Sequence, residues 1–400
     1  MSLDMSGTDS VNFRSQVRLV RRMAHELGFA LVGVTPAEKS DNGSYIRRWL
    51  DDGKHGEMSY LSENLEKRLD PTKYLPGAKT VISVADRYPV DREEQPATDR
   101  EPVGRIARYA WGDDYHKVIK KRLHRMADAL RIHWPNEQYR SAVDTAPILE
   151  RDHAQRCGLG WIGKHTLLIH PDLGSWLLLG QIITTLVIEA DELQPPMTDH
   201  CGTCTRCIDA CPTDCIRPYQ LDASRCISYL TIEHRESIEP TLQPLMGDWV
   251  AGCDVCQQVC PFNANAESRE LSAADNAVPP PFPPLAKGGI GGAPKREKAK
   301  DNILIHPQYE PRPPAPAIGL LELLGWNSDV RRQAFTGSAL KRIKLDQLKR
   351  NALIAAGNFL AKHEHRKLKD RIEALANNET ESSLVHETAK QVLRRLPSQS

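Results

Sequence analysis

The chain has 400 residues, 53 Lys and Arg against 52 Asp and Glu, and 40 % hydrophobic residues. That length allows two or three domains with at least one sizeable core. Near neutrality excludes a uniformly basic surface but not a local basic patch.

The opening MSLDMSGTDS is polar and lacks an apolar h-region. The longest apolar run, WLLLGQIITTLVI, is too short to span a bilayer and reads as one buried strand or two joined near Gly180. The expectation is a cytoplasmic protein with no membrane partner.

Taken in chain order, VRLVRRMAHELGF reads as a helix ended by Gly28, ALVGVT as a strand, and LPGAKTVISVADRY as a turn and a strand. DDYHKVIKKRLHRMADALRIH has the period of an amphipathic helix, with Asp113 as its cap. Residues 11–190 therefore read as a mixed α/β domain and 191–265 as a cysteine-rich domain. The Pro- and Gly-rich stretch within 266–316 reads as a linker or insertion. From 317 to 400 the pattern is helical, in short segments such as LDQLKRNALIAAGNFLA, as in helical-repeat proteins.

All ten cysteines fall between Cys157 and Cys260, which points to metal rather than a disulfide scaffold. CGTCTRCIDACP fits C-x2-C-x2-C-x3-C-P, in which three thiolates grip one cubane and the fourth turns to the other cluster. CDVCQQVCP lacks a first cysteine at that spacing, and Cys226 supplies it. One [4Fe–4S] cluster then takes Cys201, Cys204, Cys207 and Cys260; the other takes Cys226, Cys253, Cys256 and Cys211. Exchange of Cys211 and Cys260 is the alternative. Zinc is the plainer reading, but its structural sites use two separated C-x2-C pairs, and three cysteines at two-residue intervals crowd a tetrahedron. Cys157 and Cys215 lack ligand spacing and read as buried free thiols.

Gly158, Gly160 and Gly163 spell G-x-G-x-x-G before Lys164, but a helical segment precedes them and a strand follows. A dinucleotide site needs the reverse order, so the stretch reads as a tight loop against a ligand or another segment. Asp144 precedes the helical ILERDHAQRC, and spacing alone makes it an N-cap. Tyr115 and His116 open the basic helix, where an ordinary half-exposed turn is the simple reading.

AVDTAPILERDHAQRCGLGWIGKHTLLI, CGTCTRCIDACPTDC, DASRCISYLTIE, GCDVCQQVCPFN, GSALKRI and KRNALIAAGN occur in this order. Together they resemble the epoxyqueuosine reductase family over about residues 15–262 and 317–360. The resemblance implies an α+β fold: a nitroreductase-like α/β corrinoid domain, a ferredoxin-like domain with two [4Fe–4S] clusters, and C-terminal HEAT-like helical repeats. It implies cobalamin as a further cofactor and tRNA carrying epoxyqueuosine as substrate, reduced to queuosine at the wobble position. An external donor of flavodoxin or ferredoxin type and a monomeric state are implied too.

By the same resemblance Asp144 is the proton donor, and an acid away from water is expected to have a raised pKa. Tyr115, His116 and Arg151 lie near the active centre. Arg68, Asp144, Arg151, Lys164, His165, Ser228, Tyr229 and Asp254 surround the corrinoid. Cys226 lies near it, so the second cluster is expected to hand on the electrons. The insertion at about 277–302 and Cys215 depart from the family pattern.

Residues 329–371 carry twelve Lys or Arg and four Asp or Glu, a local +8 that leaves −7 for the rest of the +1 chain. Lys117, Lys120, Lys121, Arg122 and Arg125 add a basic helix. With the resemblance, these are expected to meet the tRNA backbone. A corrinoid dehalogenase of small organics is one rival, weakened by the missing export signal. A plain electron carrier is the other, and it would need neither the N-terminal domain nor the basic tail.

Overall fold

A computed structural model of the chain describes residues 13–88, 101–188, 196–268 and 305–396. The stretch at 277–302 lies outside these residues. Four antiparallel strands form the main sheet, in the order Leu31–Pro36, Thr80–Arg87, Leu177–Thr184, Tyr139–Ala142. The two central strands are buried along nearly their whole length, so their sequence is almost continuously apolar rather than alternating. Helices Phe13–Glu26 and Tyr115–His133 cover one face, where Val20, Ile82, Ile119, Leu123 and Ile182 pack together. The short helix Glu150–Arg156 lies on the other, with Ala154, Cys157 and Leu159 against Ala85 and Leu179.

WLLLGQIITTLVI thus supplies one strand, not two. Gly180 does not break it. A Cβ there would lie 2.6 Å from Ile119, so glycine lets the Tyr115–His133 helix press onto the sheet. That helix is capped by Asp114, whose carboxylate accepts the His116 N–H, and not by Asp113. Arg122, read as a surface cation, is buried and ion-paired with Asp86. Tyr309 donates to the same carboxylate at 2.5 Å. Tyr309 is 2 % exposed and packs in the same core as Ile82 and Leu123.

A second core spans distant parts of the chain. Strands Trp249–Ala251, Val103–Ile106 and Ala317–Gly319 form a small sheet. Helices Leu345–Leu360, Arg366–Ala376 and Ser383–Arg395 bury Leu348, Leu353, Ile372 and Val392 against it. The C-terminal helices therefore share a core with the N-terminal part. Arg350 fastens them further. It is fully buried and donates to the carbonyls of Leu230, His234 and Glu236, and burial pulls its pKa down to about 10. Asn351 beside it donates to the carbonyls of Thr231 and Val250. Arg350, and Lys349 in its pair with Glu381, are thus bolts and not part of a free basic face. No helix among the described residues is long and apolar enough to cross a membrane.

Candidate active site and cysteine pockets

A cavity of about 480 Å³ opens where the sheet, the cysteine loops and the C-terminal helices meet. Tyr115, His116, Asp144, Glu150 and Arg151 line it on the sheet side. Cys211, Cys215, Cys226, Cys253 and Cys256 line it opposite, with Ser228, Tyr229 and Asp254.

Asp144 does not cap a helix. The next helix starts at Glu150 behind Leu149, which leaves the Asp144 carboxylate free to face the cavity. Its Oδ2 accepts from the Tyr115 hydroxyl at 2.9 Å and lies 3.1 Å from His116 Nε2. His116 Nδ1 is held 2.8 Å from Asp114, and its ring stacks on Tyr115 at 4.0 Å. Burial works against charge on His116, but the two carboxylates outweigh it and raise its pKa to about 9. Desolvation by the surrounding walls pushes Asp144 up as well, although about half of its side chain, 49 %, remains exposed. Its bond and charge interaction with His116, then Tyr115 and Arg151, more than reverse this, and its pKa falls below the usual value. The expected raised pKa of Asp144 is therefore corrected: at neutral pH the proton of the pair rests on His116.

Glu150, unremarked in the sequence although it sits inside ILER, is the carboxyl that burial does raise. Desolvation and then the Asp144 charge push it up to about 8, and it takes the backbone N–H of Asp144. Glu150 is thus a protonated acid at neutral pH, in the wall beside an ionised one. Arg342 of GSALKRI also lines the cavity, paired with Glu233.

The other expected residues divide. His165 lines the cavity, with burial lowering its pKa to about 4. Arg68 stands close enough to sense Asp144 and Glu150. Tyr229 accepts the Glu57 N–H at 2.8 Å, and Asp254, 1 % exposed, accepts the Arg108 N–H at 2.8 Å. Lys164 is instead tied to the carbonyls of Gly202 and Cys204, at 2.6 and 2.9 Å, and serves the first cysteine loop rather than the cavity. The glycine loop before it packs on its own chain: a Cβ on Gly160, at φ +153, would meet the Ile169 carbonyl at 2.2 Å.

The cysteines gather in two groups. Cys207 senses the charge of Cys260, Cys201 and Cys204, and Cys260 packs with Cys201 around Trp161. Cys253 senses Cys226 and Cys211, and Cys256 senses Cys253 and Cys226. Cys260 thus lies with the first three cysteines and Cys211 with Cys226 and Cys253. Only the second group lines the cavity.

The cavity wall offers unpaired polar groups to an occupant. Glu150 Oε1 and His165 Nε2 on its wall, and Arg68 Nε beside it, are buried without a hydrogen-bond partner among the described residues. Each such atom costs about 1–3 kcal/mol unless an occupant pairs with it, and a corrin ring edged with amides carries donors and acceptors for all three.

A second cavity, about 470 Å³, lies behind the Asp144 loop and is lined by Lys67, Lys73, Lys120 and Arg140 together with His116 and Thr145.

Comparison with known proteins is consistent over most of the chain. The family described as Epoxyqueuosine reductase QueG, DUF1730 matches residues 68–145, and the 4Fe-4S double cluster binding domain matches residues 200–263. An epoxyqueuosine reductase from Synechococcus sp. (strain CC9605) is 36 % identical over 342 residues, which is 84 % of this chain and 93 % of the relative. A solved epoxyqueuosine reductase from Bacillus subtilis, with its catalytic aspartate loop swung out of the active site, superposes with a TM-score of 0.76 at 26 % identity. That match covers 95 % of this chain and 91 % of the other. Another solved epoxyqueuosine reductase, with an epoxyqueuosine-modified tRNA-Tyr stem loop, gives a TM-score of 0.73 at 26 % identity and covers 96 % and 99 %. The segment of nine cysteines is an iron–sulfur domain, and the chain is an oxidoreductase that belongs to the epoxyqueuosine reductase family.

Proposed function

We propose that this chain reduces epoxyqueuosine to queuosine at the wobble position of tRNA, with two [4Fe–4S] clusters and a cobalamin in the central cavity. The observation that carries the reading is the meeting, in one cavity, of the Asp144–His116–Tyr115 network with the second cysteine group. The proposed ligand sets are Cys201, Cys204, Cys207 and Cys260 for the first cluster and Cys211, Cys226, Cys253 and Cys256 for the second. Arg68, Arg151, His165, Ser228, Tyr229 and Asp254 would surround the corrin. Bound there, the corrin would supply the electrons needed to open the epoxide carbon–oxygen bond.

The protein's own part is proton supply. Removing the oxygen as water while an alkene forms consumes two electrons and two protons. His116 Nε2 passes the first proton to Asp144 Oδ2, 3.1 Å away, and Asp144 delivers it to the departing oxygen. Glu150, protonated at neutral pH and bonded to the Asp144 backbone, stands as the second source. Tyr115 holds the carboxylate in place through its hydroxyl.

Cys201, Cys204, Cys207 and Cys260 lie away from the cavity, so a cluster held there would suit entry of electrons from a carrier of flavodoxin or ferredoxin type, and one held by Cys211, Cys226, Cys253 and Cys256 would suit their exit. The solved relative with a tRNA stem loop supports an RNA substrate, and the cationic cavity behind the Asp144 loop suits its phosphates. The C-terminal helices, as HEAT-like repeats, would hold the rest of the RNA.

Reconstitution without oxygen, with iron, sulfide, cobalamin and a reductant, followed by addition of an epoxyqueuosine stem loop, tests the reading. Mass analysis of the nucleoside should show loss of one oxygen atom; an unchanged epoxide with both clusters and corrin loaded overturns it.

A further inference from the structure

Five thiols surround a place where a cubane takes four. Cys215 is 4 % exposed, and its Sγ lies 3.4 Å from Cys211 Sγ. It lines the same cavity as Cys211, Cys226, Cys253 and Cys256, whereas Cys157, the other spare cysteine, packs in an apolar cluster with Ala154 and Leu159.

The position of Cys215 is built, not incidental. Its carbonyl accepts the Asp222 N–H at 2.8 Å, and the strand that follows, Ile216–Arg217, pairs with Gln220–Leu221. The turn before it places Asp214 at φ 50, with the Asp214 N–H on the Cys211 carbonyl. Arg217 clamps the Asp214 carboxylate through two bonds, at 2.6 and 2.8 Å. These contacts hold residues 211 and 215 on one turn with both sulfurs turned to the same side.

We propose that Cys215 is a reserve ligand of the second cluster, able to take over the iron that Cys211 holds; this rests on the two-cluster reading above. The distance makes the exchange local. One χ1 hop carries a cysteine sulfur about 3 Å, which spans the separation between the two thiols. The step balances without electrons: Cys215 gives up its S–H proton and forms the iron–sulfur bond, while the Cys211 bond to iron breaks and its sulfur takes a proton. The reserve sits on the cluster that faces the substrate cavity, where small molecules reach iron most easily.

The test compares the wild type, Cys215→Ala, Cys211→Ala and the double variant, each reconstituted without oxygen. Iron and sulfide are counted, and the reduced clusters are recorded by electron paramagnetic resonance. The wild type and Cys215→Ala should each hold about eight irons. Cys211→Ala should keep the same count with an altered signal from the second cluster. The double variant should drop to about half while the first-cluster signal persists, which also reports that it has folded. If Cys211→Ala loses as much iron as the double variant, or Cys215→Ala alone loses the second cluster, Cys215 is not a reserve. A wild type holding only one cluster would instead overturn the two-cluster reading.

Discussion

His116→Gln removes the group that keeps Asp144 ionised. The folded pKa of His116 is about 9 against an ordinary 6.5, a difference of about 2.5 units. At about 1.36 kcal/mol per unit this is roughly 3.4 kcal/mol. The ring retains some solvent contact, 20 % of its side-chain surface, so screening reduces the figure to about 2 kcal/mol. The sign follows from the direction of the shift. A raised folded value means that the stabilisation is fully present below about 6.5 and is lost as pH rises through about 9. Thermal unfolding without oxygen should therefore find the variant less stable than the wild type by about 2 kcal/mol near pH 6, with the gap closing by about pH 10. In activity, the wild type should show an alkaline limb near pH 9 that the variant lacks, on a much lower plateau. A stability gap that stays constant from pH 6 to 10 would refute the ion-pair assignment.

Asn351→Ala should lower stability by about 2–4 kcal/mol, because the carbonyls of Thr231 and Val250 and the Arg350 guanidinium each lose a buried partner; chemical unfolding monitored at the second core checks it. Lys67→Ala with Lys120→Ala should weaken binding of the modified stem loop and reduce the slope of log affinity against log salt by about 2, one per phosphate contact. Titration at several salt concentrations reads this, and an unchanged slope would place the RNA elsewhere. Cys226→Ser should leave the first cluster assembled but stop reduction of the corrin, followed by optical and magnetic spectra; unaltered corrin reduction would reject the second cluster as the exit.

What the sequence made legible was what its local spacing encodes. The C-x2-C-x2-C-x3-C-P run, the helix opening at Tyr115 and the strand around Gly180 are short-range patterns, and each appears where expected. Their finer points depended on three dimensions. Asp113 and Asp114 are equivalent caps on paper, and only the backbone turn selects Asp114. His116 has one carboxylate two residues away and another 28 residues away, so no local pattern announces its raised pKa or the lowered one of Asp144. Glu150 was hidden because a glutamate opening a helix reads as an ordinary helix-dipole residue until burial is known. The charge pattern misled at Arg122, Lys349 and Arg350, whose side chains turn inward to Asp86, to Glu381 and to backbone carbonyls.

The most direct measurement is a single turnover of an epoxyqueuosine stem loop by reduced, fully loaded wild type and Asp144→Asn, run side by side. Cluster content, corrin spectrum and RNA affinity should match, since the introduced amide is isosteric with the carboxylate it replaces. The wild type should convert the epoxide to queuosine, and Asp144→Asn should be slower by about 100-fold or more, the loss typical of a missing general acid. Equal conversion by the two would contradict the account of the site.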